Sequence, residues 1–172
     1  MQIDKRVLGF AAPSGTGKTT LLKQLIPLLK QSGLSIGLVK HSHHDVEVDV
    51  PGKDSYELRH AGAEQVVLAS AYRTVAIKER TDRSEPTLQE ALDNLNLEAL
   101  DLILVEGFRD SAFPKIELHR PTLGRAPLYL EDDNIIAIAT DDMEGLETDM
   151  PILNINTPQA VADYILKRFE SL

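Results

Sequence analysis

A phosphate-binding loop motif, lying between a predicted strand and a predicted helix, is the feature that most constrains this chain. Residues 11–20 read AAPSGTGKTT, and Gly17, Lys18 and Thr19 occupy three of the four fixed positions of the pattern G-x-x-x-x-G-K-[ST]. The remaining position holds Ala12, where only a small side chain is needed. An apolar run precedes the motif at 7–11, and leucines at helical spacing follow it. This context predicts an anion site at a helix N-terminus.

The chemistry of the motif assigns a role to each residue type. Gly15 and Gly17 allow the backbone to turn so that its N–H groups point at a phosphate, and Lys18 adds a positive charge. The Thr19 hydroxyl is suited to bind Mg²⁺. The predicted phosphate-binding residues are Ser14, Gly15, Thr16, Gly17, Lys18, Thr19 and Thr20.

Composition excludes several classes of protein. The 172 residues include no cysteine, which rules out thiolate zinc sites and cysteine nucleophiles. A formal net charge of −9 argues against nucleic-acid binding, which requires clustered Lys and Arg. We find no signal-like or membrane-length apolar stretch. We therefore expect a cytoplasmic protein with one nucleotide-binding domain over 1–172, whose partners are neither nucleic acid nor membrane.

Strand-like and helix-like segments alternate along the chain. Strands are predicted at 7–11, 36–40, 102–105, 116–119, 135–139 and 152–155, and helices at 18–31, 55–61, 88–95 and from 158 onward. Asp54 is a candidate N-cap of the second helix and Thr87 of the third. Two further strands, at 65–69 and 74–77, are too close in sequence for a parallel crossover and should pair antiparallel. The predicted fold is α/β: a single-domain P-loop NTPase fold, with a mostly parallel sheet, helices on both faces and an antiparallel strand pair.

Several predicted strands end in polar residues at the carboxyl edge of the sheet, where such sheets bind ligands. Glu106 follows a wholly apolar strand, and we expect it to hold Mg²⁺ together with Thr19, directly or through water. An ordinary strand-end carboxylate is the alternative. Lys18 and Glu106 are the predicted catalytic residues, because both would act on the terminal phosphate of a nucleotide.

The segment His41-Ser42-His43-His44-Asp45 follows the second predicted strand and permits three interpretations. It could be a loop that senses the terminal phosphate and Mg²⁺, a transition-metal site, or a solvated loop. Its position beside the phosphate site favours the first, in which His41 and Asp45 contact the nucleotide or its metal.

Asp141, at the end of another predicted strand, is a candidate for base recognition. A carboxylate matches the N1–H and N2–H donors of guanine. The Asn-Lys-x-Asp pattern of many GTP-binding proteins is absent, and Asp142 or Asp133 could serve instead of Asp141.

Four segments together closely resemble the MobB family of molybdopterin-guanine dinucleotide biosynthesis adaptor proteins. They are residues 12–20, 39–45 (VKHSHHD), 51–59 (PGKDSYELR) and 100–108 (LDLILVEGF). The histidine segment 39–45 followed by the segment 51–59 is far more specific to one family than the loop motif, which very many proteins share. The resemblance implies a homodimer that binds GTP and Mg²⁺, with weak GTPase activity. It also implies the molybdenum cofactor guanylyltransferase as partner, and leaves open whether molybdopterin itself binds.

Two other functions remain open from the sequence. One is an ATP-dependent small-molecule kinase of the same fold, whose lid would use Arg73, Lys78, Arg80 and Arg83. The other is a pure binding adaptor in which nucleotide only stabilises the protein. If the chain hydrolyses GTP, we expect a slow reaction, because Arg59 and Arg109 are the only candidates for an arginine finger and neither is certain.

Overall fold

The computed structural model describes residues 6–169, which divide into two compact units. The first, here called the sheet unit, comprises residues 6–41 and 87–169 of the described chain; the second, the hairpin unit, comprises residues 42–86. A single domain over 1–172 stays a prediction.

The secondary structure follows the predicted order closely. The strands are β1 (Val7–Ala11), β2 (Ile36–Lys40), β3 (Gln65–Ala69), β4 (Thr74–Lys78), β5 (Leu102–Glu106), β6 (Lys115–His119), β7 (Ile135–Thr140) and β8 (Ile152–Asn154). The helices are α1 (Lys18–Gln31), α2 (Asp54–His60), α3 (Leu88–Leu92) and α4 (Pro158–Phe169). No helix within residues 6–169 combines the length and the apolar character that crossing a bilayer requires.

The sheet unit is built on six parallel strands in the order β2-β5-β1-β6-β7-β8. Alternate residues of each inner strand face opposite sides, and β1, β5 and β7 carry apolar residues on both. On β5, Leu102 and Leu104 belong to a core that includes leucines of α1 and apolar residues of α4, whereas Ile103 and Val105 pack in a second core with α3. Helices therefore cover both faces, and the predicted fold class is confirmed.

The strand β6 carries charged residues into this sheet. The Lys115 side chain is 2% exposed, and its ammonium donates to the carbonyls of Arg109 and Ser111 and, at 2.9 Å, to the Asp132 carboxylate. The Glu117 carboxylate accepts the backbone N–H groups of residues 128 and 129 at 2.7 and 2.9 Å. These contacts satisfy the buried charges and hold the segment between β6 and β7 against the sheet.

The hairpin unit is held together by other kinds of contact than the sheet unit. Its strands β3 and β4 pair antiparallel, as predicted, and the structure places Val67 opposite Ala76. None of the residues 42–86, all of which the structure describes, is buried. Arg59 of α2 instead bridges two carboxylates, those of Glu47 and Glu79. The unit therefore consists of a short helix and a two-stranded ribbon without a buried apolar core.

Two local predictions were wrong. Asp54 is the first residue of α2 and not its N-cap; Lys53 occupies the cap position, and no side chain caps this helix. The third helix ends at Leu92 instead of continuing to Leu95, because the chain turns there, with the N–H of Leu95 bonded to the carbonyl of Leu92. Thr87 caps that helix as predicted, in a reciprocal capping box with Glu90.

Candidate functional site

The phosphate loop joins β1 to α1 and has the backbone shape that its glycines allow. Gly15 and Gly17 adopt positive φ angles of 84° and 101°, a conformation that side chains with a Cβ rarely adopt. Gly17 is the N-cap of α1, and no side chain accepts the N–H groups of the first turn. The first turn of α1 therefore presents unpaired N–H donors beside the loop.

Lys18 is folded back onto the loop. Its ammonium donates to the carbonyl of Ala12 at 2.8 Å and to that of Pro13 at 3.4 Å. Burial lowers the pKa of Lys18 below its ordinary value, and the nearby positive charges of Arg109 and Lys40 act in the same direction, while the Glu106 carboxylate opposes them. Thr16 is 1% exposed and its hydroxyl donates to the Pro13 carbonyl at 2.9 Å, so its side chain braces the loop.

Glu106 lies at the carboxyl end of β5, level with Phe10 of β1, the strand that leads into the phosphate loop. Its side chain is 17% exposed and approaches the ammonium of Lys40 to 3.7 Å. The main chain of His41 donates to the Glu106 carbonyl at 2.8 Å, and the His41 ring stacks on Phe108 with ring centres 4.5 Å apart. The sheet edge thus brings His41 and Glu106 together, as the parallel strands predicted.

Arg120 connects three parts of the sheet unit that are distant in sequence. It follows β6 directly, and its Nε donates to the carbonyl of Thr16 in the phosphate loop at 3.1 Å. One terminal nitrogen of the guanidinium forms an ion pair with Asp141 beyond β7. The other donates to the Oδ1 of Asn156, between β8 and α4, at 3.3 Å. Asp141, the predicted base reader, is therefore held by an arginine.

A cavity of about 360 Å³ opens beside the phosphate loop. Residues 15–17 and Thr20 form one side of it, and Gln24 extends that side along α1. Arg120 and Asn156 line it together with apolar neighbours, Ile155 among them. The cavity adjoins the phosphate loop and is large enough for a small organic ligand.

The other predicted site residues differ in where they lie. Ser14, Thr19 and Thr20 are exposed on the loop and on the first turn of α1, as a phosphate site requires. Asp45 belongs to the hairpin unit and is exposed, and its contact with a metal or nucleotide stays a prediction. In the same unit, His43 approaches the Glu85 carboxylate at 3.3 Å.

The sequence did not single out Arg120 or Asn156 as site residues. Each follows a strand that was predicted correctly, so position at the carboxyl edge was a signal for both. The signal was weak because polar residues follow most strands, and only the strand order shows which of them meet.

A family model and curated relatives match most of this chain. The family model described as "MobB: Molybdopterin guanine dinucleotide synthesis protein B" matches residues 7–141. The molybdopterin-guanine dinucleotide biosynthesis adapter protein of Escherichia coli (strain K12) is 48% identical over 162 residues, which cover 94% of this chain and 91% of that protein. The protein of the same name from Haemophilus influenzae is 39% identical, covering 92% of this chain and 86% of its own length.

Solved structures share the fold. The crystal structure of Bacillus subtilis MobB superposes with a TM-score of 0.73, covering 95% of this chain and 97% of that one, at 24% sequence identity. A MobB homolog from Bacillus stearothermophilus gives a TM-score of 0.70 at 19% identity, covering 97% of this chain and 99% of that one.

Proposed function

This chain belongs to the MobB family, and from that premise we propose that it is a cytoplasmic GTP-binding adaptor in molybdopterin guanine dinucleotide biosynthesis. It binds GTP with Mg²⁺ and hydrolyses the nucleotide slowly. Its relatives in Escherichia coli and Haemophilus influenzae are named as adapter proteins of that biosynthesis.

The observation that carries the nucleotide proposal is the phosphate loop with Lys18 folded onto its own carbonyls. An ammonium held only by two backbone carbonyls, at 2.8 and 3.4 Å, is poised to exchange them for phosphate oxygens, which carry more charge. The unpaired N–H groups at the start of α1 are donors for the same phosphate. The adjoining cavity of about 360 Å³ supports the proposal, because it offers room beside the loop for the nucleoside part of such a ligand.

The residues near the loop fit Mg²⁺. Thr19 and Glu106 offer a hydroxyl and a carboxylate oxygen, the hard donors that this ion prefers, and both lie at the carboxyl edge of the sheet unit. These two side chains would hold the ion, and the ion would neutralise negative charge on the phosphates.

For hydrolysis, Lys18 and the loop N–H groups would stabilise the charge that develops on the terminal phosphate. We expect slow turnover because Arg109, whose charge helps to lower the pKa of Lys18, is the one candidate arginine finger near the phosphate loop, and its role as a finger stays a prediction. Arg59, one of the two candidate arginine fingers, is already engaged by Glu47 and Glu79 within the hairpin unit. A missing finger lowers the rate of such reactions by about 10³–10⁵-fold.

We further propose that the chain forms a homodimer through the hairpin unit and that the molybdenum cofactor guanylyltransferase is its partner. The exposed large apolar residues of that unit are Val46, Val48, Val50, Leu58, Val67, Leu68 and Tyr72. So many apolar side chains in 45 residues favour coverage by another protein surface. A second copy of the chain would cover them in a self-complementary contact.

Calorimetric titration with GTP and with ATP, each with Mg²⁺, tests the nucleotide proposal. We expect the wild-type protein to prefer GTP, Lys18→Ala to lose at least tenfold in affinity, and the exposed neighbour variant Lys23→Ala to bind like wild type. Preference for ATP, or equal binding by wild type and Lys18→Ala, would contradict the proposal.

Sedimentation velocity tests the dimer. Val67→Glu places a charge on a side chain that is 64% exposed in the hairpin unit and should yield a monomer. Leu130→Glu, at a side chain of matched exposure in the sheet unit, should leave the dimer intact. A wild-type monomer, or a dimer in both variants, would refute dimerisation through this unit.

The partner is tested by mixing the protein with the purified guanylyltransferase. We expect co-elution of the two proteins and faster formation of the guanine dinucleotide when GTP is present. No co-elution and no acceleration would remove the adaptor proposal while leaving nucleotide binding in place.

A further inference from the structure

We propose that Arg120 sets the base preference of the nucleotide pocket by orienting an acceptor, Asp141, and a donor, the side-chain amide of Asn156. The proposal rests on the proposed nucleotide function and goes beyond it, because it names the residue that positions the groups by which the pocket would distinguish guanine from adenine. Arg120 is a positioning residue here, since it acts through its two partners.

The first step concerns the amide of Asn156. A guanidinium carries only donors, so the atom of Asn156 that faces Arg120 at 3.3 Å must be the amide oxygen. The –NH₂ group of the same amide is then directed away from Arg120. Asn156 lines the cavity beside the phosphate loop, so this amide offers a donor to a ligand in the cavity.

The second step concerns the carboxylate of Asp141. Arg120 engages one of its two oxygens, and the side chain of Asp141 remains 26% exposed. A carboxylate has about four lone-pair sites, so one hydrogen bond from Arg120 leaves acceptor capacity on both oxygens. An ionised carboxylate only accepts hydrogen bonds.

The third step compares this pair with the two purine bases. Guanine presents an acceptor at O6 and donors at N1 and N2, which match a donor amide and an acceptor carboxylate. Adenine presents a donor at N6 and an acceptor at N1, which is the opposite pattern. Because Arg120 also donates to the Thr16 carbonyl at 3.1 Å, the same residue ties this base-reading pair to the phosphate loop.

The test measures the dissociation constants of GTP and ATP, with Mg²⁺, for wild type, Arg120→Met and Arg120→Lys. We expect Arg120→Met to lower the preference for GTP over ATP by about tenfold, since a polar specificity contact is lost. Arg120→Lys, which keeps a charged donor, should restore part of the preference. The control is Arg125→Met, because Arg125 is an exposed arginine of the same connecting segment and should leave the preference unchanged.

A second variant keeps the proposal testable if Arg120→Met does not fold, which a thermal melt will show. Asn156→Asp retains an acceptor for Arg120 but replaces the donor amide with a carboxylate, and it should also lower the GTP preference by about tenfold.

Three results would overturn the inference. An equal loss of GTP and ATP affinity in Arg120→Met would mean that Arg120 supports only the phosphate loop. Unchanged preference in both Arg120→Met and Asn156→Asp, with wild type preferring GTP, would remove this inference and leave the proposed function standing. Wild type without a preference for GTP would remove both.

Discussion

The sheet unit and the hairpin unit of this chain are stabilised in different ways. In the sheet unit, apolar side chains cover both faces of the inner strands β5, β1 and β7, and residues such as Leu104 and Ile103 are completely buried. In the hairpin unit no residue of 42–86 is buried, and its contacts are cross-strand pairs and the carboxylates around Arg59. A segment of this size with so little burial gains little stability from its own contacts.

This difference in burial suits the two units to different tasks. The unit with the apolar core holds the phosphate loop, Glu106 and Arg120 in fixed geometry, which a binding site requires. The unit without a core leaves its apolar side chains available for contact with another protein. The following variants compare the two units, either by one change in each unit or by the titration of a group in the sheet unit.

The largest effect is expected from an apolar truncation in the sheet unit. Leu104→Ala removes a side chain that is 0% exposed on β5 and should lower the free energy of unfolding by about 3 kcal/mol, through lost burial and a residual cavity. Val67→Ala in the hairpin unit, measured at a protein concentration at which sedimentation shows a monomer, should change it by no more than about 0.5 kcal/mol. Urea unfolding of both variants measures this, and equal losses would show that the hairpin unit has a core of its own.

The next effect concerns the buried ion pair of Lys115 and Asp132 in the sheet unit. Asp132→Asn removes the negative charge beside the buried Lys115 ammonium, and its single amide oxygen cannot replace both carboxylate oxygens, which accept from Lys115 and Asn134, so it should cost about 2–3 kcal/mol at neutral pH. Glu79→Gln in the hairpin unit should cost clearly less, because the Glu79 side chain is 46% exposed to screening solvent and Arg59 keeps the Glu47 carboxylate as a partner. A larger loss in Glu79→Gln would contradict the comparison.

The same pair predicts a pH dependence of stability. Burial by itself would raise the pKa of Asp132, but hydrogen bonds from Lys115 and Asn134 outweigh it, so the pKa lies below its ordinary 3.8. The stabilisation by ionised Asp132 is therefore complete above that value and is lost as the pH falls through the lower folded-state pKa. Acid unfolding of Asp132→Asn should be less steep than that of wild type, and identical acid profiles would disprove the shift.

A smaller effect distinguishes the helices α3 and α2. Thr87→Ala removes the capping box of α3 in the sheet unit and should cost about 1 kcal/mol. Asp54→Ala in the hairpin unit should cost only about 0.3 kcal/mol, since Asp54 is the first helical residue and interacts only with the helix dipole. Thermal unfolding of the two variants checks the order, and the reverse order would restore Asp54 as a cap.

The smallest effect is on nucleotide affinity at alkaline pH. Because burial lowers the pKa of Lys18 below 10.5, its charge is lost at a lower pH than that of a solvated lysine. Between neutral pH and the ordinary value of 10.5, nucleotide affinity should fall more steeply in wild type than in Lys18→Ala, since deprotonation of guanine N1 weakens binding in both. Calorimetry across this range tests it, and parallel profiles would exclude Lys18 as the titrating group.

Much of the fold was predictable because its signals are local. The apolar runs of β1, β5 and β7 are continuous because these strands are buried on both faces, and the leucines of α1 repeat at helical spacing. The errors at Asp54 and Leu95 concern helix ends, where one polar residue or one turn decides between near-equal conformations.

The sequence by itself determined the phosphate loop, since glycines that accept positive φ, a lysine and a helix start lie next to one another between residues 15 and 18. Only the tertiary structure decided that Arg120 joins Thr16, Asp141 and Asn156, which lie 104, 21 and 36 residues away from it. Those contacts depend on the order of strands in the sheet. That order arises from the packing of whole strands and helices, and no local pattern encodes it.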